Sequence, residues 1–114
     1  MKTNPLSKES YKHKSAKNVL SKWLSTDFVV HSEVSFDGFR PDLTTYKNDQ
    51  IQAFYEIVHT SDITGKTIGL MQYFCFINNL DILLHVIDAE YILRQCEKPE
   101  KIEGLTCNLI KFNE

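Results

Sequence analysis

Three short extended runs, Val29–Ser35, Phe39–Thr45 and Ile51–Thr60, lie so close together that they have few ways to pair. The last two flank the polar patch Tyr46-Lys47-Asn48-Asp49-Gln50, where Asn and Asp tolerate the backbone angles of a tight reversal. A turn centred near Asn48 or Asp49 places Asp42 opposite Glu56, or one residue from it. On the third run Gln52, Phe54, Glu56, Val58 and Thr60 point one way, and Ile51, Ala53, Tyr55, Ile57 and His59 the other. Two carboxylates then sit on facing strands, one of them inside an apolar run. That arrangement is unfavourable unless a positive group lies between them, and a divalent metal ion would serve.

The rest of the chain reads around this meander. Residues 1–7 contain Pro5 and no periodicity, which predicts a flexible tail before a single domain over 8–114. From Lys8 to Leu24, Tyr11, Ala16, Val19, Leu20, Trp23 and Leu24 fall largely on one helical stripe, with Ser7 and Ser10 as cap candidates. Asp37-Gly38 predicts a hairpin between the first two strands. Ser61–Thr64 supplies caps for a helix over Lys66–Asn79. Ile82–Ile87 predicts a buried strand, parallel to its predecessor because a helix intervenes. Asp88–Gln95 predicts a short helix, Glu97–Lys101 a loop, and Leu105–Phe112 an edge strand. The order implies an α/β domain, a central mixed sheet flanked by helices.

At 114 residues the chain is long enough to bury a core without staples. Cys75, Cys96 and Cys107 are odd in number and form no C-x-x-C pair, which points to free thiols in a reducing, intracellular setting. No apolar run approaches the length of a membrane span, and no leader precedes the domain, so no membrane partner is expected. The net charge of −2 hides an asymmetry. The first 26 residues carry six lysines and one glutamate, whereas the remainder carries seven basic and fourteen acidic residues. A basic helix of this kind suits an acidic partner, nucleic acid or an acidic protein, and also reads simply as a solvated face.

Arg40-Pro41-Asp42, followed after thirteen residues by Glu56, resembles the motif of the PD-(D/E)xK nuclease superfamily. The helix ending in Lys22-Trp23-Leu24, then Glu33, Arg40–Leu43 and Phe54–Thr60, is most similar to its competence-protein CoiA-like branch. The resemblance covers roughly Lys8 to Ile92. It implies a restriction-endonuclease-like αβββαβ core and a DNA-hydrolysing enzyme, with Mg²⁺ or Mn²⁺ held by Asp42 and Glu56. Glu33 or Glu9 would add a third acid. The family's lysine is absent, since Val58 stands two residues after Glu56. Lys66 is the migrated catalytic candidate, with Gln72 as a polar alternative. Lys12, Lys14, Lys17 and Arg40 would contact phosphates, and a two-fold dimer would let so small a domain cut both strands. The alternative is a nuclease-derived module that binds DNA or protein without catalysis.

Two other signals are weaker. Gly65-Lys66-Thr67 looks like the end of a phosphate-binding loop, but Thr60 stands where that loop needs its first glycine. Phe36 and Phe39, beside Asp37-Gly38, are the aromatic residues expected to be exposed and able to stack on bases. His13, His31 and His85 lack the spacing of a helical zinc site, and His59 reads as structural or surface.

Overall fold

The computed structural model describes residues 10–59 and 65–109, and its first helix starts at Ser10. Ser10 is extended (φ −66°, ψ 156°), and its Oγ accepts the His13 N–H at 3.0 Å, satisfying one of the helix's unpaired first donors. Helix α1 (Tyr11–Leu24) then buries Ala16, Leu20, Trp23 and Leu24 along the stripe expected of it. The other cap candidate, Ser7, and Glu9 lie outside the described residues.

Strands β1 (Val29–Ser32), β2 (Leu43–Lys47) and β3 (Gln50–Val58) make the antiparallel meander. Lys47 faces Gln50 across a two-residue turn in which Asn48 and Asp49 both have positive φ, 54° and 64°. This is the hairpin geometry those residues favour, and it sets the register as far as Tyr46–Ile51, beyond which a bulge shifts it by one residue. Leu43 pairs with Tyr55, so one step further along the chain Asp42 faces Glu56. Thr45 pairs with Ala53 but Tyr46 with Ile51, leaving Gln52 as an extra residue. The bulge turns Ile51 onto the face of Phe54, whereas Ala53, Tyr55 and Ile57 keep to the opposite face as expected.

Two strand boundaries differ from expectation. β1 stops at Ser32 because Glu33 takes a left-handed conformation (φ 57°), and β2 begins at Leu43 rather than Phe39. Asp37-Gly38 still reverses the chain, with Gly38 at φ 88°. The Glu33 N–H donates to the Asp42 carbonyl (3.3 Å) and the Phe36 N–H to the Phe39 carbonyl (2.8 Å), in register with the β1–β2 pairs, but residues 33–42 form a loop rather than a continuous ladder. Its side chains explain the departure. Phe36 and Phe39 stack on each other and pack against Phe54 and Phe74, which draws the loop onto the sheet. Pro41 has no N–H to give a ladder. Phe36 and Phe39 are thus core side chains, not exposed stacking platforms.

Helix α2 (Gly65–Ile77) ends on Asn79 at φ 54°. The Leu80 N–H donates back to the Cys75 carbonyl (2.9 Å) and the Asn79 N–H to that of Phe76 (3.3 Å), a Schellman stop. Strand β4 (Leu83–Asp88) runs parallel to β3. Asp88 caps α3 (Ala89–Arg94), and β5 (Leu105–Asn108) closes antiparallel on β4. The caps expected in Ser61–Thr64 and the continuation of β5 to Phe112 lie outside the described residues. Among the described residues, five strands form one sheet in the order β1-β2-β3-β4-β5. Helices α1 and α3 cover one face, with Leu43, Tyr55, Ile57 and Ile87; α2 covers the other, with Phe54, Leu84 and Leu109. The chain is therefore a mixed α/β domain. All three cysteines are free thiols, and no described helix is long and apolar enough to cross a membrane.

Gly104 enters β5 pressed against β4. A Cβ there would lie 2.7 Å from the Val86 carbonyl oxygen and 3.0 Å from the Ile87 side chain. Backbone cannot yield as a flexible side chain does, so Gly104→Ala should lower stability by about 1–3 kcal/mol in urea unfolding.

Candidate active site

Three segments bring polar side chains together at the end of the sheet where β3 leaves it. His13 and Lys17 come from α1, Glu33, Arg40 and Asp42 from the loop between β1 and β2, and Glu56 from β3. Asp42 is held firmly. Its Oδ2 accepts the Ile57 N–H at 2.7 Å and lies 3.3 Å from His13 Nε2, which is also 3.1 Å from the Ile57 carbonyl oxygen. Both partners of Nε2 are acceptors, so that nitrogen carries the proton.

Glu56 faces Asp42 from the neighbouring strand. Burial, the negative charge of Asp42, a hydrogen bond to Asp42 and the charge of Glu33, in that order, push the Glu56 carboxyl up to about 8. Two carboxyl groups this close cannot both ionise freely, and at neutral pH the pair shares a proton.

Glu33 is balanced differently. Lys17 Nζ lies 2.5 Å from its Oε2 and Arg40 Nε 3.1 Å from its Oε1. The Lys17 side chain is only 10% exposed. Lys17 therefore does not face solvent on a DNA-binding helix surface, as its place outside the apolar stripe suggests. Four residues beyond His13, it turns inward with it, because the acidic end of the sheet supplies its partner. Lys17→Met should keep the packed stem and lose the pair, lowering thermal-unfolding stability by about 1–3 kcal/mol.

The remaining expected residues scatter. Lys12 is paired with Glu90 of α3 at 2.5 Å, and His59 lies 3.9 Å from the same carboxylate. Lys14 is exposed on the outer face of α1. Lys66 is exposed in the first turn of α2 and has no ion pair among the described residues, so it is not brought to the acids. Gln72 lies beside the buried Met71 and Cys75, and its Nε2 is buried without a partner. Thr60 and Glu9 fall outside the described residues. Sequence reasoning missed His13; the signal available was its i, i+4 spacing to Lys17.

Comparison with protein-family models and with curated proteins gives no match. The donor set must speak for itself. Among the described residues no group of three or more His, Cys, Asp or Glu side chains is disposed to hold a metal ion. Asp42 and Glu56 nonetheless make an all-oxygen pair whose mutual repulsion a cation would relieve. Mg²⁺ is commonly held by one or two carboxylates, with water and substrate phosphate completing its shell, and the pair fits that pattern. Glu33, with both oxygens engaged by cations, adds charge nearby.

Proposed function

We propose that the protein is a metal-dependent nuclease that hydrolyses DNA phosphodiester bonds on a restriction-endonuclease-like core, with Asp42 and Glu56 holding Mg²⁺ or Mn²⁺. The observation that carries this reading is the facing pair itself. Asp42 and Glu56 share a hydrogen bond, half-buried at a sheet end, with Lys17, Arg40 and His13 around them. The element order supports it: a helix, a three-strand meander, a helix and a parallel strand.

When bound, such a metal lowers the pKa of a water and polarises the phosphoryl oxygen. The protein's own groups do the rest. His13 and the Ile57 N–H hold Asp42 in one orientation, and Glu56, once its proton has passed to solvent, would serve as the second ligand. Lys17 neutralises Glu33 from below. Arg40, its side chain 60% exposed, offers guanidinium N–H groups at the rim where a phosphate would approach. Lys17, not Lys66, is the lysine gathered into the acid cluster and takes the place of the one missing at Val58. Lys14 and Lys22, exposed on α1, extend the basic surface, so DNA binding should weaken with salt.

One observation favours a second reading, a nuclease-derived module that binds without cutting. Val58 occupies the usual lysine position, and Lys66 stands away from the acids. Cleavage of labelled linear, single-stranded and branched DNAs with Mg²⁺ or Mn²⁺ separates the two. Cutting by the wild type alone, beside Asp42→Asn and Glu56→Gln, is the expected result. Equal binding with no cutting by all three would leave the module reading.

A further inference from the structure

A cavity of ≈ 290 Å³ lies on the other face of the sheet from Glu56, beneath the C-terminal end of α1. Its size is close to the lower limit of small-molecule sites, about 300 Å³. Trp23 and Phe28 line it together with Tyr55 and His85, whose rings stack at 4.7 Å and 28°. The rim is polar and carries more acid than base. Asp27 and Glu100 stand there with Lys98, whose Nζ lies 3.7 Å from Asp27 Oδ2.

Each feature narrows the ligand. Aromatic walls favour a flat π-face. Two carboxylates against one lysine disfavour phosphate and favour a group that donates hydrogen bonds, as Asp and Glu accept from a cytosine amino group. His85 adds a matching edge. Burial holds the ring below its usual range, and with Nδ1 3.1 Å from Thr106 Oγ1 its other nitrogen is left to complement a donor or acceptor.

We propose that this cavity binds one unpaired nucleobase bearing an exocyclic amino group, with the ring among the aromatic side chains and the amino group on the rim carboxylates. The base can arrive as a free nucleoside or from a single strand. The site is separate from the acid pair and does not depend on the nuclease reading.

Trp23 is the only tryptophan, so its fluorescence reports on the cavity directly. Adenosine, cytidine and thymidine, and short single strands of dA, dC or dT, would be titrated into the full chain. Adenosine or cytidine, or the strands carrying those bases, should change the emission saturably, with thymidine or the dT strand at least about tenfold weaker. Asp27→Asn, at a side chain 66% exposed, should leave the fold intact and reduce that preference, and His85→Ala should weaken binding on the order of tenfold. A response to strands but not nucleosides identifies nucleic acid as the source, and equal responses identify the free nucleoside. No saturable change with any probe, equal response to thymidine, or indifference to Asp27→Asn overturns the proposal.

Discussion

Without divalent cations, raising the pH from about 5 to about 8 should cost the protein on the order of 3 kcal/mol of stability, and Glu56→Gln should remove most of that loss. The sign follows from proton binding. In the folded state the Glu56 carboxyl is raised to about 8 from an ordinary 4.5. Between those values the native protein holds a proton that the unfolded chain has released, so stability is full below the lower value and falls as pH rises through the upper one. His85, held below its usual range by burial, contributes the opposite slope. That contribution ends near the ordinary histidine pKa of about 6.5, so the steepest loss belongs to the upper half of the window. Gln can donate the hydrogen bond that the protonated acid makes to Asp42 without ever ionising. The variant should match the wild type near pH 5 and exceed it near pH 8, in urea unfolding at both pH values. A wild-type profile without the fall, or an equal fall in the variant, would contradict the shared proton.

The same pair makes the cation response pH-dependent. On the proposed role of Glu56 as a metal ligand, a metal ion and a proton would compete for it, so Mg²⁺ should raise stability more at pH 8 than at pH 5, by mass action on the native state. Glu56→Gln should blunt that difference.

The local parts of this arrangement are legible in the sequence. Asn48-Asp49 carries its own preference for positive φ, and the two-residue turn brings Asp42 to within one residue of Glu56; the bulge at Gln52, which no residue there announces, shifts the register by the last step. The partners of the pair are not legible in that way, because they depend on how α1 is rotated over the sheet. Read along the helix, Lys17 falls among solvent-facing lysines. In the fold the gain of a charge partner outweighs that preference, and Lys17 turns to Glu33. The left-handed Glu33 is a second such case. Nothing in Ser32-Glu33-Val34 announces a strand end, which follows from Phe36 and Phe39 being pulled into the core with Phe54 and Phe74. A reading by alternation sees a strand there, whereas packing of four aromatic rings decides it.

Asp42→Asn and Glu56→Gln should each reduce Mg²⁺-dependent cleavage of labelled DNA by about 10²- to 10⁴-fold, the range expected when several kcal/mol of charge stabilisation is lost. The two should differ in a second measurement. Asp42→Asn removes the carboxylate that His13 and the Ile57 N–H hold, so it should also disturb the His13 imidazole resonances. Glu56→Gln should leave His13 in place. Lys17→Met supplies the contrast: it leaves both acids present, so its effect should appear mainly as a lower cleavage rate at unchanged Mg²⁺ dependence. If all three variants cut as the wild type does, the facing carboxylates are not the hydrolytic site. If only Lys17→Met retains part of the activity, the acids supply the metal ligands and α1 supplies their charge balance.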